Sequence, residues 1–323
     1  MKVFVTGATG FIGSNLVKKL IAEDYEVSAL VRLVQRRKLP SKVKLIKGDL
    51  IIPSSLKNIS ADIIFHLAAG LPYHHLSDVE YKSINVKGVE NLLKNCNTKK
   101  IKRFILVSTV GIYDLTSRKI INESSKIKLT SAYETTKYNA ERKVKTFCKE
   151  KGIPFSIIRP TICYGPGDTR PGFLNLFRLI KKKIFIPIGN GRNFFHTIYI
   201  DNLVDALILA ATKKEAIDED FIIGDEPCPT MDQILNKITF VQKSFLIPVY
   251  IPKEIAVFIG EVFNILGKLG LPAPLNSQRV KFMTEDKQFS IDKAKKVLGY
   301  NPKINLTVGI DRTYKWYKNN GYL

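Results

Sequence analysis

Tyr133-Glu-Thr-Thr-Lys137 sets a phenol and an ammonium four residues apart in a stretch of helical character. On a helix that spacing puts both side chains on one face, one turn apart. An adjacent ammonium favours the phenolate and draws its pKa down from about 10. Such a tyrosine exchanges protons near neutral pH. Hydroxyls stand at Ser108 and Thr109, directly after the apolar run Arg103 to Val107, where Thr109 is placed to hold a substrate oxygen. A second chemical group lies near the start. Gly7, Gly10 and Gly13 follow Val3-Phe4-Val5 at three-residue spacing, and Leu16, Val17, Leu20 and Ile21 continue at helical period. A glycine turn between a strand and a helix lets the backbone pass close to a diphosphate. The helix N-terminus adds free N–H groups and a partial positive charge. The cysteines, Cys96, Cys148, Cys163 and Cys228, form no CxxC pair, so no metal site is expected.

These groups need a scaffold that brings strand ends together. Glu26 to Val31, Val43 to Ile46, Asp62 to Leu67, Arg103 to Val107 and Phe155 to Ile158 read as further strands. Val79 to Leu93 and Ser131 to Lys149 read as the helices between the later ones. Alternation at this spacing predicts an α/β, Rossmann-type doubly wound parallel sheet, with ligand beyond the carboxyl ends of its strands. Past Arg159-Pro160 the pattern loosens. It holds a turn at Gly165 to Asp168, helices over 173–183, 230–239, 253–268 and 306–319, and a strand Thr197 to Ile200 whose following helix is capped by Asp201. Residues 1–160 are therefore expected to form the dinucleotide-binding domain and 161–323 a smaller C-terminal substrate-binding lobe, part of 195–225 returning to the first domain.

Ile255, Phe258, Ile259, Val262, Ile265, Leu266 and Leu269 make one wide apolar helix face. Packing against the second lobe is the expectation; a membrane-surface or subunit contact is the alternative. The 51 basic and 29 acidic residues give a formal charge of +22. The basic residues are scattered through the helices without a nucleic-acid-binding signature, so no nucleic acid partner is expected. No apolar stretch is long enough to cross a bilayer, and no signal peptide opens the chain. A reduced, cytoplasmic setting is expected, with a small-molecule substrate and room for a homodimer.

The chain resembles the extended short-chain dehydrogenase/reductase family, the NAD-dependent epimerase/dehydratase group. The matching pieces are Thr6-Gly-Ala-Thr-Gly-Phe-Ile-Gly13, Gly48-Asp49-Leu50, His66-Leu-Ala-Ala69, Asn85-Val-Lys-Gly88, Val107-Ser-Thr109, Tyr133-Glu-Thr-Thr-Lys137, Arg159-Pro160, Tyr164-Gly-Pro166, Tyr199-Ile-Asp201 and Leu298-Gly-Tyr-Asn-Pro302. They run in family order over nearly the whole chain. The resemblance implies that Gly7, Gly10 and Gly13, with Thr9, Phe11 and Ile12, wrap a cofactor diphosphate. Asp49 and Leu50 border the adenine, and Ala68 and Ala69 line the passage to the nicotinamide. Asn85, Ser108 and Pro160 join the cofactor contacts. Thr109, Tyr133 and Lys137 are implied as the catalytic set, with Lys137 also on the nicotinamide ribose.

Three departures shape the reading. Arg32 ends the second strand where an NAD-specific site carries an acidic residue; with Arg36 or Arg37 it suits a 2′-phosphate, so NADP is favoured over NAD. Val110 and Gly111 follow Thr109 where dehydratases of the family carry an acidic pair, which argues against dehydration. Phe195 stands where nucleotide-sugar enzymes often have arginine, and Arg192 is the candidate substitute for substrate binding. The expected reaction is hydride transfer at a secondary alcohol or ketone, as an epimerase or reductase. A sugar, nucleotide-linked, is the first substrate class, a sterol-like or other apolar alcohol the second. A non-catalytic dinucleotide-sensing or scaffold protein is the rival of another class.

Overall fold

The computed structural model describes residues 1–32, 39–56, 59–116, 120–247, 250–268, 280 and 283–323, without the side chains at 264–268. Arg36, Arg37 and Leu269 lie outside the described residues, as do the side chains of Ile265 and Leu266. The strands are β1 (Lys2–Thr6), β2 (Glu26–Val31), β3 (Lys44–Lys47), β4 (Ile63–His66), β5 (Arg103–Val107), β6 (Phe155–Pro160), β7 (Ile162–Tyr164), β8 (Thr197–Tyr199) and β9 (Glu219–Ile223). Seven form one sheet in the order β3-β2-β1-β4-β5-β6-β9, every pairing parallel. β7 and β8 pair separately, also in parallel.

Among the described residues the α-helices include α1 (Phe11–Ala22), α2 (Asp78–Tyr81), α3 (Gly88–Asn95), α4 (Ala132–Lys151), α5 (Pro171–Lys181), α6 (Ile200–Thr212), α7 (Met231–Gln242), α8 (Lys253–Lys268) and α9 (Leu306–Asn319). A π-helical segment, Lys82–Lys87, joins α2 to α3. The period of two along each strand divides the interior. Val3, Val5, Ile63, Phe65 and Ile105 face Leu16, Val17, Leu203 and Leu207 of α1 and α6. Phe4, Ile64, Phe104 and Leu106 face Leu92, Leu93, Ala140 and Val144 of α3 and α4. The sheet is thus covered on both sides, the usual condition of a parallel sheet. The strand order runs outward from β1 one way and from β4 the other. That reversal opens a crevice at the carboxyl ends of β1 and β4.

Three expectations need correction. β9 was not expected as a strand; it pairs with β6 from Ser156↔Glu219 to Pro160↔Ile223. Asp201 does not cap α6: the cap residue is Tyr199, without a side-chain cap, and Asp201 sits in the first turn. The described part of the apolar face of α8 is packed away only in part. Ile255, Phe258 and Val262 are exposed, whereas Ala256 and Gly260 are buried. Ile259 and Phe263 are half-buried, so the helix seats through Ala256, Gly260 and part of its apolar stripe and turns Ile255, Phe258 and Val262 outward.

Candidate active site

The glycine turn is shaped by contact with the next strand along. Gly7 has φ +69°, and a Cβ there would lie 2.7 Å from the Ala68 amide nitrogen. A Cβ on Gly13 would run into the Gly7 carbonyl. Gly10 donates its N–H to that carbonyl at 3.0 Å, then caps α1 with no side chain over the helix end and no acidic residue in the first turn. The first-turn N–H groups of α1 are left for an anion. Thr9 and Gly10 are exposed at the tip, while Phe11 and Ile12 are half-buried. Beneath the turn, Thr6 Oγ1 accepts from the Ala68 N–H at 3.3 Å and lies 2.9 Å from His66 Nδ1. Burial first, then the Lys137 charge, lowers the His66 pKa to about 3, so this ring is neutral.

Ala68 and Ala69 leave β4 half-buried at the crevice. Asn85 clasps the backbone just beyond them: its Oδ1 accepts from Gly70 N–H at 2.7 Å, and its amide nitrogen reaches Thr136 Oγ1 on α4 at 3.0 Å. Asn85 thereby positions two walls of the crevice. Asp49 Oδ1 accepts from the Ile51 N–H at 3.1 Å. Leu50 is buried, packed toward Gly88 of α3.

α4 begins at Ser131, whose hydroxyl accepts from Glu134 N–H in a reciprocal capping box. It runs 20 residues to Gly152, which ends it at φ 63°. This start sets Tyr133 half-buried beside the end of β5. Burial pushes the Tyr133 phenol up to about 12, opposed by a hydrogen bond with the Thr109 side chain and by the Arg170 charge. Thr109 Oγ1 also accepts from Gly111 N–H at 3.1 Å. One turn on, Lys137 is buried and donates from Nζ to the Val107 carbonyl at 2.6 Å. Burial lowers its pKa to about 8, with Glu141 opposing. The expected depression of the phenol by Lys137 is therefore corrected. The two share a face, but the ammonium is turned to the β5 backbone, and desolvation dominates both groups.

Two buried hydroxyls at these strand ends, Ser108 Oγ and Thr161 Oγ1, have no hydrogen-bond partner. Thr161 follows Pro160, the buried last residue of β6. An orphaned Ser108 hydroxyl, the uncapped α1 terminus and a turn that excludes Cβ atoms together fit a dinucleotide, which would satisfy them.

Arg32 is exposed at the end of β2, and its charge acts on His74, whose pKa is lowered chiefly by burial. Arg192 lines a cavity of about 650 Å³ with Gly189, Tyr250, Pro252 and Thr284, and none of Thr109, Tyr133 or Lys137 lines that space. Phe195 is buried. Sequence reasoning missed Arg170. Its guanidinium lies 4.7 Å from the centre of the Phe11 ring, held by Asp168 at 2.6 and 2.9 Å and by the Cys163 carbonyl at 2.7 Å. The turn Gly165 to Asp168 was its only signal, and the contact with Phe11 spans more than 150 residues.

A family model described as NAD dependent epimerase/dehydratase family matches residues 3–224. The decarboxylating sterol-4-alpha-carboxylate 3-dehydrogenase of Candida albicans is 27% identical, over 97% of this chain and 97% of its own. The UDP-glucose 4-epimerase of Vibrio cholerae is 28% identical, over 96% of this chain and 94% of its own. The crystal structure of a UDP-glucuronic acid 4-epimerase from Bacillus cereus in complex with NAD has a similar fold, with a TM-score of 0.77 at 24% identity, covering 99% of each chain.

Proposed function

The chain belongs to the NAD-dependent epimerase/dehydratase family, and from that premise we propose that it transfers a hydride at a secondary alcohol or ketone, with Thr109, Tyr133 and Lys137 as its reactive set. The observation that carries this reading is the Tyr133 phenol beside Thr109 at the end of β5, two strands from the glycine turn. Gly7, Gly10 and Gly13, with the first-turn N–H groups of α1, would hold the diphosphate. Ser108 and Lys137 would meet the ribose, Pro160 would back the nicotinamide, and Asp49 would border the adenine with Leu50 packed behind it. When bound, the nicotinamide donates or accepts the hydride at C4.

The chain's own residues handle the oxygen and its proton. Thr109 holds the substrate oxygen through its hydroxyl. With its pKa near 12, Tyr133 is a phenol at neutral pH, the form that protonates an alkoxide. In the reverse direction the Tyr133 phenolate takes the alcohol proton, and the Arg170 charge, which opposes the upward shift of the phenol, helps to stabilise it.

Arg32 carries the cofactor preference: an exposed guanidinium at the end of β2 suits a 2′-phosphate, so NADP(H) is proposed over NAD(H). An apolar alcohol or ketone is the substrate class we favour, because Phe195 is a buried core residue and Arg192 lines a different cavity. The likeness to nucleotide-sugar epimerases supports a second reading, a nucleotide-linked sugar. One assay separates the two. Net oxidation of added NADPH with β-keto acids or cyclic ketones supports the first. Interconversion of UDP-glucose and UDP-galactose, with no net change in nicotinamide absorbance, supports the second. Inactivity on both classes, with neither nicotinamide bound in calorimetry, would sink the enzymatic reading.

A further inference from the structure

The outward face of α8 is part of a larger region with one composition. Ile255, Phe258 and Val262, spaced three and four residues apart, are 51%, 70% and 41% exposed. Burying such a stripe is what an amphipathic helix ordinarily does, so its exposure asks for a partner. Next to it lie Tyr250, Phe245 and Ile184, each about half exposed. These segments abut. Ile251 donates to the Pro187 carbonyl at 3.0 Å and accepts from Gly189 at 2.9 Å. Lys183 Nζ sits 4.7 Å from the centre of the Phe245 ring.

The charge of the region is equally one-sided. Stretches 178–188 and 240–263 carry six basic and two acidic residues. Lys181, Lys182 and Lys183 end α5 together, and Lys243 and Lys253 flank the apolar side chains; all five are exposed. Large apolar side chains inside a lysine rim match a lipid surface: headgroups meet the rim, and the acyl boundary takes the rings. A second copy of the chain matches poorly. A two-fold contact through this face would set one lysine rim against the other. Among the described residues no helix is long and apolar enough to cross a membrane, so the contact would be made in the interface plane.

We infer that this face, centred on α8, docks the protein on the surface of an anionic lipid bilayer. The inference is independent of the proposed reaction, because none of these residues belongs to the candidate active site. Flotation of the whole protein with vesicles tests it. Binding is expected to phosphatidylcholine vesicles containing phosphatidylglycerol, and to weaken with added salt. Phosphatidylcholine alone should bind little. Phe258→Asp with Ile255→Asp should abolish flotation while the circular dichroism spectrum and melting temperature stay unchanged. Should that variant unfold, Lys182→Ala serves in its place, with an expected loss of about fivefold in partitioning, the usual worth of one surface lysine. Absence of flotation with anionic vesicles would overturn the inference. So would undiminished flotation of folded Phe258→Asp or of Lys182→Ala, or a wild-type dimer in light scattering that Phe258→Asp converts to monomer.

Discussion

Tyr133 combines a polar role with a half-buried position, and the two leave separate marks on a variant. Tyr133→Phe keeps the ring that faces Tyr81 at a centroid distance of 6.4 Å and removes only the hydroxyl. Cofactor affinity should hold while turnover drops about 10²- to 10⁴-fold, the range of positioned acid–base catalysis; near-normal turnover would remove Tyr133 from the mechanism. Arg32 gives a second test of one side chain. By calorimetry, wild type should bind NADPH more tightly than NADH, and Arg32→Ala should lose that preference while NADH affinity is retained. Equal affinities in the wild type would return the choice to NAD. The four-residue spacing of Tyr133 and Lys137 was legible in the sequence, because a helix has a fixed period. The sign of their pKa shifts was not. It depends on the Val107 carbonyl, 30 residues away, and on how much protein covers both groups.

At the scale of elements, α4 is both the carrier of the chemistry and a strut. Tyr133, Lys137 and Glu141 follow at four-residue steps along one face. Glu141 holds Arg159 of β6 through two hydrogen bonds, at 3.0 and 2.7 Å, with both side chains buried. Arg159 also donates to the Tyr113 hydroxyl at 2.6 Å. Glu141→Ala leaves a buried guanidinium with fewer partners, and breaking such a pair costs about 3–5 kcal/mol. Chemical denaturation should show a loss of that size, and a loss under about 1 kcal/mol would mean that Asp220, the other carboxylate on Arg159, suffices. The bounds of α4 were readable within two residues, since Ser131, Glu134 and Gly152 are local stop and start signals. β9 escaped because five residues without strict alternation carry no distinctive period; its pairing with β6 is what makes it a strand.

The whole molecule responds to pH through groups that folding has desolvated. His196 Nδ1 accepts from Phe289 N–H at 3.2 Å, so its Nε2–H donates to the Asp225 carbonyl at 2.7 Å. Burial lowers His196 to about 4 and His66 to about 3, from 6.5. The folded state thus excludes protons that the unfolded chain binds. The histidines' contribution is complete above pH 6.5 and is lost as pH falls toward those values. Asp225 acts oppositely. Burial raises it from 3.8 to about 7, so its carboxyl binds a proton more readily in the folded state and its contribution fades as pH rises through that window. Melting temperature should therefore fall more steeply between about pH 7 and about pH 5 in Asp225→Asn than in wild type. The imidazole nitrogen shifts of His66 and His196 in the native protein should stay flat from about pH 8 to about pH 5. A protonated His196 at about pH 6 would contradict this account.

By itself the sequence determined the parallel α/β sheet, the glycine turn and the helix that carries Tyr133 and Lys137. Each comes from short-range rules: strand period, helix period, and the few residue types that a tight turn or a cap accepts. The tertiary structure alone decided which side chains converge. It brought Arg170 over Phe11, turned Lys137 to Val107, clasped Gly70 to Thr136 through Asn85, and set Arg192 on a cavity that Tyr133 does not line. It also turned Phe258 outward, although its place in an apolar helical stripe reads as core. Periodicity states that a helix has an apolar face; only the neighbours available to cover that face decide whether it is buried.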